Sequence, residues 1–549
     1  MINQRSKILS IALTFCFILV SSRLFYWQII KGPELREKAQ NQAYKLEKII
    51  PERGKIYSSD NFPLVLNQTT YQLSIYKPNL KDSLDEVIDK IEQNYPNFKL
   101  ENNISIDKFK NNPNQKWITF NSFFSDSQKK QLEIPGLEFQ KIAKRYYPEN
   151  LMAKDILGII SKDYQGSPVG YGGLEAFYQK QLKGKTGFVW APQDATGKTI
   201  LNKKSWSSES INGRDIFTSI NRSAQFYVEK LLQEGIDKYS ADSGSITVME
   251  PKTGAILAMA SLTSTSSATI SSIRNPAISD LFEPGSIFKP IVVSMALDNK
   301  SINTDFICSQ CHQPNVIGKY FISNWDNEFH PNSSLQDIIK NSDNIGMSYI
   351  IEKLGKDDFL KYCQKLGLNQ KTGIDLQGEA KPSLKTEWPE IDLATASFGQ
   401  GIVVTQINML QAFNTIANNG VLVKPKVANY FTEGDKIIKN KNQTETKVFS
   451  DQTITDVKAI LKYAVENGVV SQFKPKKLEV CAKSGTAQIA IGGKYTDSKT
   501  IASYIGFSPC DNPKFTMIVT INNPKTSPWG SSTAAPIWYE LASKLNDLL

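Results

Sequence analysis

Glycine-rich phosphate loops are missing from this chain, and so is any run of basic residues interleaved with aromatics. The first absence argues against nucleotide-driven chemistry. The second argues against nucleic acid as a partner, although the formal charge is +10. Cysteine is scarce, six in 549 residues, too few for a disulfide scaffold. No internal repeat is found, which sets repeat architectures aside. What is present is a globular composition, 40% hydrophobic and 10% aromatic, on a chain long enough for two or more domains with their own cores. The positive excess is spread thinly and suits an anionic membrane or envelope better than a polynucleotide. Cys16 falls in an apolar run, and Cys363, Cys481 and Cys510 sit in apolar surroundings that read as core.

That apolar run is the first positive signal. ILSIALTFCFILVSS is nearly uncharged, and LFYWQII resumes it beyond Arg23. Ile8–Ile30 is therefore long enough to cross a bilayer, which takes about 20 residues. Arg5 and Lys7 precede it and hold residues 1–7 in the cytoplasm. The following LFYWQIIKG is a poor cleavage site, so the segment reads as a retained signal anchor, with Arg23, Tyr26 and Trp27 at the outer interface. The remaining chain then lies outside the cytoplasm, away from ATP.

Beyond the anchor, GPELREKAQNQAYKLEK reads as an outgoing helix, KIYSSD and YQLSIYK as short strands, and 81–135 as mostly helical. Turn signals cluster at 161–173 and 192–213. A domain boundary is placed near 214–222, giving an N-terminal region 31–215 and a C-terminal domain 216–549. The latter opens on a helix, SAQFYVEKLLQEGIDKY, with Phe226, Leu231, Leu232 and Ile236 at helical spacing. The hairpin SITVMEPKTGAILAMAS follows, turning at Pro251-Lys252-Thr253-Gly254. Near the C-terminus LEVCAKSGTAQ, ASYIGFSP and KFTMIVTIN read as strands, and 335–425 as mostly helical. Strands at both ends of the domain predict one sheet built from both and covered by helices.

Three short elements carry the chemistry. In LFEPGSIFKP, Ser286 and Lys289 are three apart behind a Pro-Gly turn, at the start of an apolar helix. Positions i and i+3 share a helix face. A serine needs a base, and a lysine serves only when burial or nearby positive charge lowers its pKa. A helix N-terminus also aims N–H groups at a developing oxyanion. Ser342-Asp343-Asn344 offers a hydroxyl and an amide for proton relay and substrate holding. Lys483-Ser484-Gly485-Thr486 follows a strand; its lysine and hydroxyls suit a carboxylate, and Gly485 admits a close backbone. Each piece is cheap alone. Ser-x-x-Lys recurs at Ser127–Lys130 and Ser471–Lys474, and Lys-Thr-Gly at Lys185, Lys252 and Lys371.

In this order the three elements resemble those of penicillin-recognising serine acyl-enzymes. The flanks EPGSIFKP, PKTGAILAMAS, SFGQGIVVTQINMLQAFNTIANNGVLVKP, AKSGTAQ and STAAPIW resemble class B penicillin-binding proteins, the division branch more than the elongation branch. PERGKIY, KRYYPEN and GGLEAFYQKQLKGKTG agree in the N-terminal half. The resemblance implies an α+β protein. Its C-terminal transpeptidase fold, an antiparallel sheet sandwiched by helices, follows an elongated α+β pedestal resembling a dimerisation domain and one transmembrane helix. It implies a D,D-transpeptidase cross-linking peptidoglycan, with no cofactor. Ser286 is then the nucleophile and Lys289 its base. Ser342 and Asn344 relay protons and position substrate. Lys483, Ser484 and Thr486 hold the donor carboxylate beside Gly485, and the N–H groups of Ser286 and Thr486 form the oxyanion hole. Stem peptides of a lipid-linked precursor, β-lactams, a membrane glycosyltransferase and division proteins are the implied partners. Departures from the family pattern are Ser58-Ser59-Asp60-Asn61, Pro331 after His330, and SLTSTSSATISSIRN after the hairpin.

Two other readings share these motifs: a membrane-anchored serine β-lactamase, disfavoured by the anchor, the length and the large N-terminal region, and a catalytically silent division scaffold, disfavoured by intact Ser286, Lys289 and Lys483. Cys308-Ser-Gln-Cys311-His312 has the spacing of a haem c attachment site. With His312 and His330, Cys308 and Cys311 also offer zinc-ligand types; a loop with free thiols or a local disulfide is the alternative.

Overall fold

The structure, a computed structural model, describes residues 2–95, 98, 103–150, 152–164, 167–192, 205–264, 274–440, 445–491 and 494–549. The turn cluster expected at 192–213 and the Ser/Thr-rich segment after the hairpin fall largely on 193–204 and 265–273, outside the described residues. The chain divides into two compact units, 1–53 with 183–213, and 54–182 with 214–549.

In the first unit, helix Ile2–Phe25 continues as a π-helical turn, Tyr26–Ile30. Gln4–Ile30 is long and apolar enough to cross a membrane, and Ile11, Phe17 and Ile29 are exposed along it. The outgoing helix stops at Ala43, earlier than expected. Tyr44–Ile49 is instead a strand, its backbone paired antiparallel with Gly187–Pro192. Tyr44 to Glu47 alternate apolar and polar, and a partner strand satisfies the backbone.

In the second unit, Pro63–Tyr76 is the long strand of a seven-stranded sheet. It pairs with Trp117–Phe124 and with Leu137–Tyr146. The first of these neighbours corrects the helical reading of 81–135: WITFNSFF is rich in β-branched and aromatic residues. Helices Leu84–Asn94 and Asn103–Asn111 do form there. Ile56–Tyr57 and Asp215–Thr218 continue this sheet as its parallel pair, and Ala428–Glu433 and Lys436–Lys439 complete it. The quoted N-terminal motifs meet at Arg145. Its guanidinium donates to Glu175 (2.9 Å), Asn67 (2.7 Å) and the Gly54 carbonyl (2.6 Å). Both charged side chains are buried, which is tolerable because the pair is fully hydrogen-bonded.

The C-terminal part of this unit is organised by five antiparallel strands: β1 (Ser243–Met249), β2 (Ile256–Thr263), β3 (Cys481–Ile491), β4 (Lys494–Ser508) and β5 (Phe515–Asn522). Their order is β2-β1-β5-β4-β3, so strands from both ends of the domain interleave as expected. Side chains alternate between faces. Ile246, Tyr504 and Val519 join a core with helices α1 (Arg222–Tyr239) and α7 (Ala534–Leu548). Met249, Ile505 and Ile518 face a second core with α2 (Lys289–Asp298), α4 (Asn344–Leu354), α5 (Gln406–Ala417) and α6 (Asp451–Asn467). The short helix α3 (Leu335–Lys340) packs there too. Every residue of α5 is buried, as befits a helix between layers. On α1 the buried stripe is Ala224, Val228, Leu231, Leu232 and Ile236. Phe226, expected on it, is 55% exposed, because two residues from Ala224 is about 200° of helical turn.

One cysteine reading changes. Cys481 and Cys510 are buried, and they form a disulfide. The β3–β4 pairing sets Cys481 opposite Phe507, close to the residue after Ser508-Pro509. Cys308 and Cys311 form the other disulfide, so neither is a thiolate for zinc or haem. Among the described residues no group of His, Cys, Asp and Glu is arranged to hold a metal. His312 turns back to the Ser309 carbonyl, and His330 faces Asp343. Cys363 is a free, buried thiol and Cys16 a free, exposed one.

Candidate active site

Gly285–Phe288 is a 3-10 turn that runs directly into α2. Pro290 lies in the first turn of α2, where its missing N–H breaks no helical bond. Ser286 thus stands on the last loose turn before a rigid helix. Lys289, the first residue of that helix, is completely buried.

The second element is the sharp junction between α3 and α4. Ser342 adopts a left-handed conformation, φ 56°, a strain of about 1–3 kcal/mol for a residue with a Cβ. Asp343 is the N-cap of α4, its Oδ1 accepting from the Gly346 N–H at 2.8 Å. Asn344 begins α4 with its side chain turned toward Lys289. The third element is the outer strand β3, which carries Lys483 through Thr486 and pairs on one side with β4.

These elements converge on one hydroxyl. Lys289 Nζ donates to the Ser342 carbonyl, to Ser342 Oγ (3.1 Å) and to Asn344 Oδ1 (2.8 Å). Lys483 Nζ donates to the same Oγ (3.1 Å) and to the Ser484 carbonyl (2.9 Å). Burial drives the Lys289 amine well below the usual lysine range, and the neighbouring Lys483 charge pushes the same way; Asp343 and Asp326 oppose them. Burial alone brings Lys483 down to about 7. One or both amines are therefore available in the neutral form near neutrality, which a lysine base requires.

Ser286, Ser342, Asn344, Ser484, Gly485 and Thr486 all line one cleft of about 840 Å³. Lys289 and Lys483 lie beneath its floor. Gly485 has a different neighbour from the one expected. A Cβ there would meet Ile287 N at 3.0 Å and Ile287 Cγ2 at 2.8 Å. The glycine lets β3 lie against the Ser286 turn, which brings the first and third elements together. Gly530 N–H donates to Thr486 Oγ1 (3.1 Å), fixing that hydroxyl's acceptor side. The look-alike motifs are spent locally: Lys130 pairs with Asp126, Lys474 caps the Leu478 carbonyl, and Thr372 holds Glu379.

The sequence reading missed the walls. Trp325 and Trp529 line the cleft and meet edge to face, 5.0 Å between centroids. Both are substantially exposed. An exposed tryptophan in a polar stretch, as in SNWDN and SPWGSS, is the signal that was available.

A hydroxyl at a helix start, two buried amines sharing a second hydroxyl and a strand edge at one cleft are the groups that serine acyl transfer requires. Residues 244–543 match the family model described as "Penicillin binding protein transpeptidase domain", and residues 48–218 match "Penicillin-binding Protein dimerisation domain". The chain belongs to the penicillin-binding protein transpeptidase family. It is 29% identical to stage V sporulation protein D of Bacillus subtilis, over 98% of this chain and 84% of that one. It is 28% identical to peptidoglycan D,D-transpeptidase FtsI of Buchnera aphidicola subsp. Baizongia pistaciae, over 99% and 95%. In fold it is similar to penicillin-binding protein 2X from Streptococcus thermophilus, with a TM-score of 0.76 and 22% identity over 92% of this chain and 80% of that one.

Proposed function

We propose that the protein is a division-type peptidoglycan D,D-transpeptidase, inhibited covalently by β-lactams. The observation that carries this reading is the sharing of Ser342 Oγ by Lys289 and Lys483 at the floor of the cleft lined by Ser286. Ser286 Oγ attacks the carbonyl carbon of the penultimate D-Ala while Lys289 takes its proton. The N–H groups of Ser286 and Thr486 receive the oxyanion. Collapse breaks the peptide bond, and the departing D-Ala amine takes a proton through Ser342. Asn344 holds the substrate amide, and Lys483, Ser484 and Thr486 hold its carboxylate. The amine of a neighbouring stem peptide then gives up its proton, attacks the acyl-serine and regenerates Ser286.

In this reading residues 1–7 are a cytoplasmic tail, 8–30 the anchor, 31–215 the pedestal and 216–549 the catalytic domain, outside the cytoplasmic membrane. A membrane glycosyltransferase and division proteins are its partners, and the lipid-linked precursor supplies the stem peptides. The test is labelling of the full-length protein with fluorescent penicillin. Ser286→Ala is expected to lose all covalent label. Label retained on that variant removes Ser286 as nucleophile, rapid turnover of the penicillin makes the protein a β-lactamase, and no label on wild type leaves a silent scaffold.

A further inference from the structure

Residues 323–330, between the short strand Tyr320–Ile322 and α3, lie along the Ser342-Asp343-Asn344 junction and bond to Asp343 and Asn344 and to the flanking Asn341 and Ile345. The Ser323 carbonyl accepts from Asn344 Nδ2 (3.1 Å). Asn324 Oδ1 accepts from the N–H groups of Asn344 (2.8 Å) and Ile345 (3.3 Å). Trp325 Nε1 donates to the Asn341 carbonyl (3.1 Å). His330 Nδ1 sits 3.0 Å from Asp343 Oδ2. We propose that His330 is a positioning residue for the acyl-transfer reaction, acting through Asp343 to hold Ser342 and Asn344 at Lys289. This rests on the transpeptidase reading of the same site.

The chemistry at His330 is determined by its neighbours. Asp343 is completely buried, and its other oxygen already caps α4. A carboxylate can only accept, so Nδ1 carries the hydrogen and donates it. Asn324 Nδ2, which gives one N–H to the Glu328 carbonyl at 2.9 Å, is also near Nδ1, but at 3.3 Å it is farther than Asp343 Oδ2 at 3.0 Å. Asp326 Oδ2 faces Nε2 at 4.0 Å, and Asp326 also lines the cleft. His330 O accepts from Ser333 Oγ (2.8 Å), and Pro331 holds the backbone before it extended. The Pro331 departure noted in the sequence therefore fixes the very residue that braces the junction. The left-handed Ser342 ends α3 in a Schellman pair, its N–H donating to the Ile339 carbonyl (3.3 Å) and the Asp343 N–H to the Ile338 carbonyl (2.9 Å); the strap braces the two residues that follow it.

Without the Nδ1–H donor, Asp343 keeps a buried oxygen unpaired and the junction relaxes. A displacement of about 1 Å at a reacting group costs on the order of 100-fold in rate. The test is stopped-flow acylation of the full-length protein by a chromogenic β-lactam, resolving the pre-covalent dissociation constant from the acylation rate constant. His330→Asn keeps a donor near the Nδ1 position; His330→Gln moves it toward Nε2; His330→Ala removes it. The expected result is an acylation rate constant for Asn within about 2-fold of wild type, the spread of a substitution that loses no contact. For Gln and Ala the constant falls ~10- to 100-fold, with the pre-covalent constant unchanged. Equal rates across the three variants, or Asn as slow as Ala, overturn the proposal. If Ala fails to fold, the Asn–Gln contrast decides alone. Acylation absent from wild type would instead overturn the transpeptidase reading itself.

Discussion

Lys483 places a chargeable amine where water cannot reach it, and the cost of doing so is measurable. Its pKa falls from 10.5 to about 7 on burial. Between those values the unfolded chain holds a proton that the folded one does not, so stability rises with pH through that window. Below about 7 both states carry the proton, and the full burial penalty of the charge is present. Lys483→Met removes the titrating group at nearly constant volume. The unfolding free energy of wild type minus that of Lys483→Met is therefore expected to climb from about pH 7 to 10.5 and to be flat below. Denaturant titrations at four pH values measure it; a difference independent of pH throughout means that Lys483 is solvated. The same amine hydrogen-bonds Ser342, so the variant also loses β-lactam labelling: the site carries this strain for its chemistry.

At the scale of elements, the site depends on how closely strands approach turns. A Cβ on Gly530 would meet the Gly485 carbonyl oxygen at 2.2 Å and the Ser503 carbonyl oxygen at 2.4 Å. Both belong to paired strands and cannot swing away. Gly530→Ala is expected to lower stability by about 1–3 kcal/mol and to slow acylation, because Gly530 also holds the Thr486 hydroxyl. Thermal unfolding and labelling of the same sample check it; unchanged acylation would separate Thr486 from this turn. These approaches explain what the sequence disclosed. Elements with strong periodicity were legible: the β1–β2 hairpin, β3, β4, β5 and the helix behind Ser286. The structure also brings together the eight residues named from the motifs, because each motif holds its residues within four positions. Distant pairings were not legible. Cys481 and Cys510 meet only through the β3–β4 register. Tyr44–Ile49 is a strand only because Gly187–Pro192 lies beside it. The bracing of Asp343 and Asn344 by 323–330 is set by a loop with no period.

For the whole molecule, the apolar helix Gln4–Ile30 has none of its span buried by protein. A helix that is apolar all round needs a lipid or detergent environment. Removing residues 1–31 is expected to move the protein from the membrane pellet to the soluble fraction while penicillin labelling persists. Fractionation followed by labelling tests this, and a truncated protein that stays in the membrane pellet would place the attachment elsewhere. The seven-stranded sheet crosses the residue 215–216 region. Asp215–Thr218 pairs with Ile56–Tyr57 on one side and with Ala428–Glu433 on the other.

The interleaving of the five-stranded sheet has a further consequence for synthesis. The ribosome makes β1 and β2 early, yet β1 lies against β5, near the C-terminus. Ser286 likewise emerges long before Lys483 of β3. A half-made chain presents an unpaired strand edge, a hazard for aggregation until its partner arrives. Acyl-transfer competence is thus acquired only at the end of synthesis, and a prematurely terminated product is inert rather than partly active.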